Sequence, residues 1–299
     1  MAVPPGTRLA DRYVVAEELG AGGMGVVVRA VDERLGRAVA LKLLAPHAVG
    51  DAIARERLLR EARAAAALVH PGIVHVYDVE ETVEGGAFLV MELVQGKTLK
   101  EVILAGTSTL GARARVIVAV ARALGFAHAA GFVHRDVKPV NVMVCDDGRS
   151  MMLDFGMAKK IASPGEASLP QLTIKGAMVG TPKYFAPEQA REEQVDARAD
   201  QFALGVTAYE AFTGRSPWNG STVMAIVAEL LRDDPAPPST LAPGLSPEID
   251  AVIARAMAKR KENRYPTIDA FADALEALVP SLEPEPRRGR GRGREREPE

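Results

Sequence analysis

The chain has 299 residues, 47% of them hydrophobic, and a formal net charge of −2. That length suits one large domain or two lobes sharing an interface, and the near-neutral charge gives no general attraction for nucleic acid or anionic membrane. Cys145 is the only cysteine, which excludes an intrachain disulfide and fits a reducing, cytoplasmic setting.

Residues 1–10 read as an N-terminal extension. Met1-Ala2-Val3-Pro4-Pro5-Gly6 has neither the basic nor the apolar region of a signal peptide, and no run of about 18 apolar residues offers a membrane span. Tyr13–Val15, Val26–Val28 and Ala38–Leu41 are β-branched runs split by glycine and charged turns, and read as strands. Residues 51–69, rich in Ala, Leu and Arg, read as one helix ended by His70-Pro71-Gly72. Further strands are expected at 74–79 and 88–93. Gly96-Lys97-Thr98 then breaks the pattern and would lead into a second lobe. Residues 110–130 read as a long helix closed by Gly131. Val142–Cys145 and Met151–Leu153 would form a hairpin around Asp146-Asp147-Gly148-Arg149. Helices are expected near 200–213, 221–232, 247–259 and 268–279, with Ser246-Pro247 as N-cap and first-turn proline of the third. The last residues alternate Arg and Gly between Arg287 and Arg296, so 280–299 is expected to be a disordered, solvated tail, its arginines offset by glutamates.

Two segments carry chemistry. His134-Arg135-Asp136-Val137-Lys138-Pro139-Val140-Asn141 precedes Asp154-Phe155-Gly156. Together they supply two carboxylates, an amide and a lysine. Phosphoryl transfer from a Mg-nucleotide needs those groups: an acid at the acceptor hydroxyl, an acid and an amide on metal, a cation on phosphate. Upstream, Gly20-Ala21-Gly22-Gly23-Met24-Gly25-Val26-Val27 has the spacing G-x-G-x-x-G-x-V. The glycines alone are weak, because dinucleotide-binding folds share them. The residues that follow decide: Val26-Val27-Val28 continues as a strand where a dinucleotide fold would begin a helix. Without β-carbons, the loop's N–H groups can approach phosphates.

These segments resemble eukaryotic-type protein kinases, and over residues 11–279 the chain is similar to bacterial serine/threonine kinases. The resemblance implies an α+β, two-lobed protein kinase fold. A small antiparallel β-sheet lobe with one main helix would cover about 11–94, and a mostly helical lobe about 95–279. It also implies ATP and Mg²⁺ as cofactors and protein Ser/Thr hydroxyls as acceptors. Gly20, Ala21, Gly22, Gly23, Met24 and Gly25 would cover the phosphates. Lys42, in Val39-Ala40-Leu41-Lys42, would contact the α- and β-phosphates and pair with Glu61. Leu19, Val27, Ala40 and Met143 would sandwich adenine beside the gatekeeper Met91, with backbone groups of Glu92 and Val94 binding the base. Asp136 would orient the acceptor hydroxyl and take its proton, and Lys138 would neutralise γ-phosphate charge. Asn141 and Asp154 would hold Mg²⁺.

The resemblance extends to structural and regulatory positions. His134 would pack against Phe155, Asp200 anchor the catalytic loop, and Glu188 of Ala186-Pro187-Glu188 pair with Arg264. Thr181 would touch Asp136 and Lys138. Arg135 would grip a phosphate on the activation segment, with Thr173 as the main acceptor. Two departures stand out. Ala65 replaces a bulky residue on the small-lobe helix, removing on the order of 2–3 kcal/mol of packing at a fully buried site. Val140 precedes Asn141 where basic-directed kinases carry glutamate, so no preference for arginine is expected. The rival readings are a pseudokinase scaffold, a small-molecule phosphotransferase and a nucleic-acid binder acting through the Arg-Gly tail. The filled catalytic positions weigh against the first, and the Ala-Pro-Glu segment with Arg264 against the second.

Overall fold

A computed structural model describes residues 3–22, 25–44, 66–81, 86–154, 159–160 and 182–283. Its small lobe is one antiparallel sheet of β1 (Arg8–Leu9), β2 (Tyr13–Gly22), β3 (Gly25–Asp32), β4 (Arg37–Leu44), β5 (Val76–Glu81) and β6 (Ala87–Met91), in the order β1-β2-β3-β4-β6-β5. Alternation explains its inner face. In β3, Val26, Val28 and Ala30 turn inward against Tyr13, Val15, Leu41 and Phe88. The β3–β4 turn is closed by Asp32, whose buried carboxylate accepts from the N–H groups of Arg34 and Leu35 and from the Arg12 guanidinium at 2.9 and 2.7 Å. The Arg12 bonds hold that carboxyl below its usual range against the opposing effect of burial.

The packed lobe begins before residue 11. β1 pairs with β2, the Gly6 N–H donates to the Val15 carbonyl at 2.8 Å, and Val3, Leu9 and Ala10 cover the sheet core. Residues 3–10 are therefore not a free extension: their short apolar side chains close a face that β2 and β3 leave open. The helix expected at 51–69 lies outside the described residues up to position 65, and 66–69 form turn and irregular chain. Leu68 points into the large-lobe core.

The chain enters the large lobe through β7 (Gly96–Thr98), which pairs with β9 (Val142–Cys145). Gly96 has φ 148°, and a Cβ there would lie 2.3 Å from the Val144 carbonyl oxygen, so only glycine fits. Next comes α1 (Leu99–Ala105), an element that the apolar pattern did not reveal. Its ends were nevertheless written in the sequence, as a Thr98/Glu101 capping box and left-handed Gly106. α2 (Leu110–Ala129) ends ahead of Gly131 at φ 82°, as expected. Then follow β8 (Phe132–Val133), the β9–β10 hairpin with β10 at Ser150–Met152, and β11 (Lys159–Lys160) against β8. Cys145 is buried in that hairpin.

α3 (Pro187–Ala190), α4 (Arg198–Thr213), α5 (Val223–Arg232), α6 (Pro247–Ala256) and α7 (Ile268–Glu276) complete the lobe. α4 is its axis, buried on every side from Ala199 to Phe212 and packed by α2, α6 and α7. Side chains such as Phe202 and Leu204 each contribute about 1.5–3 kcal/mol by leaving water. Ser246 and Pro247 occupy the expected cap positions of α6, but the Ser246 hydroxyl caps no N–H. The fold also runs past residue 279. Val279–Leu282 form a 3-10 turn, Leu282 is buried in the large-lobe core, and Glu283 pairs with Arg115. Residues 280–283 of the expected tail are therefore packed on the lobe, anchored by Leu282, and the rest of that tail lies outside the described residues.

Candidate active site

The loop after β8 is shaped by one buried acid on α4. Asp200 accepts the Arg135 N–H at 2.7 Å through Oδ1 and the His134 N–H at 2.8 Å through Oδ2, and His128 Nε2 lies 2.8 Å from Oδ2. Burial pushes the Asp200 carboxyl upward, but the His128 bond and the Arg135 N–H outweigh it and leave it below the usual 3.8. These bonds hold Arg135 at φ 64°, a left-handed conformation that non-glycine residues rarely adopt. His134 is buried, with Nε2 2.8 Å from the Leu153 carbonyl and Nδ1 accepting the Asp136 N–H at 3.2 Å, so the ring hydrogen sits on Nε2. Its expected partner Phe155 lies outside the described residues.

Beyond that bend, three predicted residues meet. Val137 is fully buried and pins the loop. Lys138 Nζ lies 2.8 Å from Asp136 Oδ2. Asn141 Nδ2 donates to the Asp136 carbonyl at 2.8 Å and to its Oδ2 at 3.0 Å. The amide nitrogen is thereby committed inward, which leaves Asn141 Oδ1 as an acceptor. The Leu153 N–H donates to the Asn141 carbonyl at 2.8 Å, tying the loop to the end of β10. Asp154 follows, also left-handed at φ 64°, with Oδ1 2.8 Å from Lys42 Nζ. Lys42 is buried on β4, so this pair joins the small lobe to the large one.

The glycine loop is the β2–β3 hairpin, with Gly20 opposite Val27, Ala21 opposite Val26 and Gly22 opposite Gly25. Beneath it, Ala40, Val74, Val76, Leu89 and Met91 form an apolar cluster flanked by Val27, Leu93, Val94 and Leu153. Leu19 is half exposed above it, and Met143 is half-buried on β9 opposite Thr98. The Glu92 N–H is already given to the His75 carbonyl at 2.9 Å, so only its carbonyl remains for a ligand. Gly23, Met24, Glu61, Thr173 and Thr181 lie outside the described residues.

Two supports hold the segment after residue 181. Arg264 grips Glu188 through two parallel bonds of 2.7 and 2.8 Å, both side chains buried, and also donates to the carbonyls of Ala258 and Arg198. Gln189 donates to the Arg135 carbonyl at 3.4 Å. The second support is the contact of Tyr184 with Glu210, and sequence reading missed Glu210, as it missed His128. Both sit on long buried helices where only a charged residue among apolar neighbours could have flagged them.

A sequence profile of the protein kinase domain matches residues 13–275. The chain belongs to the protein kinase family. Among curated relatives, this kinase is 43% identical over 265 residues to the serine/threonine-protein kinase PknB of Mycobacterium tuberculosis, covering 87% of its own length and 42% of the relative's. A probable serine/threonine-protein kinase of Streptomyces coelicolor is 39% identical over 274 residues, with 90% and 40% covered. The chain therefore spans less than half the length of the curated relatives it matches. Among solved structures, the kinase domain of M. tuberculosis PknI superposes with a TM-score of 0.72 at 32% identity, covering 92% of this chain and 99% of that one.

Proposed function

We propose that this kinase transfers the γ-phosphate of ATP to serine or threonine hydroxyls of proteins. The observation that carries the reading is Asp136 held between Lys138 and Asn141 at 2.8 and 3.0 Å, with the Leu153 N–H on the Asn141 carbonyl joining that loop to the residue before the Asp154 of the Lys42–Asp154 pair. The donor set fits a hard cation: Asn141 Oδ1 and the Asp154 carboxylate would hold it through oxygen. Held by Asn141 and Asp154, Mg²⁺ would supply positive charge to offset the negative charge of the transferring phosphoryl group.

The protein's own residues then divide the work. Lys42 turns from Asp154 to the α- and β-phosphates, with Glu61 as its carboxylate. The glycine-loop N–H groups of Gly20–Gly25 cover the phosphates, and Val27, Ala40 and Met91 wall the adenine site with Leu19 and Met143 at its edges. The Glu92 carbonyl and a backbone group of Val94 bind the base edge. Asp136 orients the acceptor hydroxyl and takes its proton, while Lys138 moves its charge to the γ-phosphate. Arg135, its backbone N–H held by Asp200, meets a phosphate on Thr173.

A small-molecule acceptor is the weaker reading. The Gln189–Arg135 bond ties the segment beside the buried Glu188–Arg264 pair to the catalytic loop, which suits an extended protein acceptor. Cytoplasmic placement fits an ATP-dependent reaction and a lone, buried cysteine. The test is transfer of labelled γ-phosphate to protein, with Asp136→Asn as control. Transfer by the parent alone supports the reading; equal incorporation by both refutes it.

A further inference from the structure

Glu210 on α4 is 2% exposed. Its carboxylate accepts the Tyr184 hydroxyl at 2.6 Å and the Lys100 ammonium at 2.5 Å, and the Lys183 ammonium stands 3.8 Å away. Burial opposes ionisation of Glu210, but the Lys100 and Tyr184 bonds and the charge of Lys183 hold it below its usual range. One carboxylate thus faces two lysines, a local excess of one positive charge. The lysine side chains are 33% and 28% exposed whereas the carboxylate is not. The outward side of the cluster is therefore positive.

Its position is as informative as its charge. Lys100 lies in the first turn of α1, which packs on the Pro139–Asn141 turn of the catalytic loop. Lys183 and Tyr184 lie in the 182–184 turn, just ahead of the segment that Gln189 ties to Arg135. The two lysines thus reach Glu210 from separate elements, one packed on the turn that ends the catalytic loop and the other next to the segment tied to that loop. A basic side chain arriving there would meet two like charges and find Glu210 already paired. Val140, 46% exposed on the same loop, offers it no carboxylate.

We propose that Lys100 and Lys183 form a subsite for an acidic side chain flanking the Ser/Thr acceptor of the protein substrate. This rests on the kinase reading above and names the class of substrate that it selects. Glu210 is the positioning residue: it fixes both ammonium groups and sets how much positive charge is left over.

The test is steady-state phosphorylation of threonine peptides carrying alanine, glutamate or lysine at each flanking position in turn. At one position kcat/KM for glutamate should exceed that for alanine by roughly three- to five-fold, the size of a partly exposed ion pair, and lysine should fall below alanine. Lys100→Met and Lys183→Met each leave the cluster neutral and should bring the glutamate-to-alanine ratio close to one. Glu210→Gln keeps an acceptor for Tyr184, adds net positive charge and should raise the ratio. Taking ratios within one enzyme cancels any loss of folded or active fraction. Equal rates on alanine and glutamate peptides at every position, or a ratio moving the same way in all three variants, would overturn the subsite. Failure to phosphorylate any peptide or any protein would instead overturn the kinase reading.

Discussion

Replacing Asp200 by Asn separates what shapes the catalytic loop from what binds nucleotide. The carboxylate has two oxygens and uses both, on two backbone N–H groups and His128 at 2.7–2.8 Å. An amide has one oxygen, so its NH₂ must face a donor. One charge-assisted bond is lost, at about 1.5–3 kcal/mol, and one buried N–H is left unsatisfied, at about 1–3 kcal/mol. Allowing for some relaxation, we expect a loss on the order of 3–5 kcal/mol, which lowers Tm by about 6–15 °C at this chain size. Arg135, no longer held at φ 64°, is free to recover the roughly 1–2 kcal/mol that a left-handed residue costs. That recovery shifts Asp136, and kcat should fall at least about tenfold. Lys42 and Asp154 stand on other elements, so nucleotide affinity should stay within about twofold. The pH dependence has a defined sign. The folded carboxyl lies below the usual 3.8, so its contribution is complete above that value and is lost as pH falls through the depressed value. The variant should therefore show a shallower loss of stability in that acid range. Thermal melts, acid titration and nucleotide binding measure each part. A variant that melts with the parent and turns over at the parental rate would refute the anchoring role.

The other predictions concern single contacts. Asp136→Asn should retain nucleotide binding and lose about 10²–10⁴-fold in turnover, whereas Asp154→Asn should also weaken Mg-dependent nucleotide binding; calorimetry beside a rate assay distinguishes them. Arg264→Met leaves the Glu188 charge buried alone and should cost about 3–5 kcal/mol in denaturant melts. Gly96→Ala drives a Cβ into the Val144 carbonyl and should lower the midpoint of urea unfolding. Thr173→Ala should lower activity, and mass spectrometry after incubation with Mg-ATP should find phosphate on Thr173 of the parent.

Most of the site was legible because each of its residues lies in a short segment whose order carries meaning. The hairpin reading of Gly20–Gly25 followed from the strand at Val26–Val28, and the β2–β3 register bears it out. Glu188 and Arg264 were paired from motif positions 76 residues apart, and they meet with both side chains buried. What escaped was packing that leaves no local pattern. His128 and Glu210 lie on α2 and α4, helices buried on nearly all sides, so no polar face marked them. α1 escaped because only Leu99 and Ile103 of its seven residues are buried, too few to show a period. Leu282 escaped because one apolar residue beside an Arg-Gly tail does not change a composition.

The ion pairs of the site also bear on how a buried lysine can serve a charged substrate. Lys42 is nearly inaccessible to water, and an isolated ammonium there would cost several kcal/mol. Asp154 at 2.8 Å supplies the compensation, as Asp136 does for Lys138 at the same distance. In each pair the acid comes from the loop or strand end that must act, and the base can reach a phosphate. In the proposed reaction, transfer of each lysine from carboxylate to phosphate would exchange one anionic partner for another. The two freed carboxylates would then serve as metal ligand and proton acceptor. On this reading, the contacts that stabilise the site and the groups that perform the chemistry are the same four side chains. Their coupling follows: a double change such as Lys42→Met with Asp154→Asn should cost much less stability than the sum of the single changes, because either one alone strands its partner.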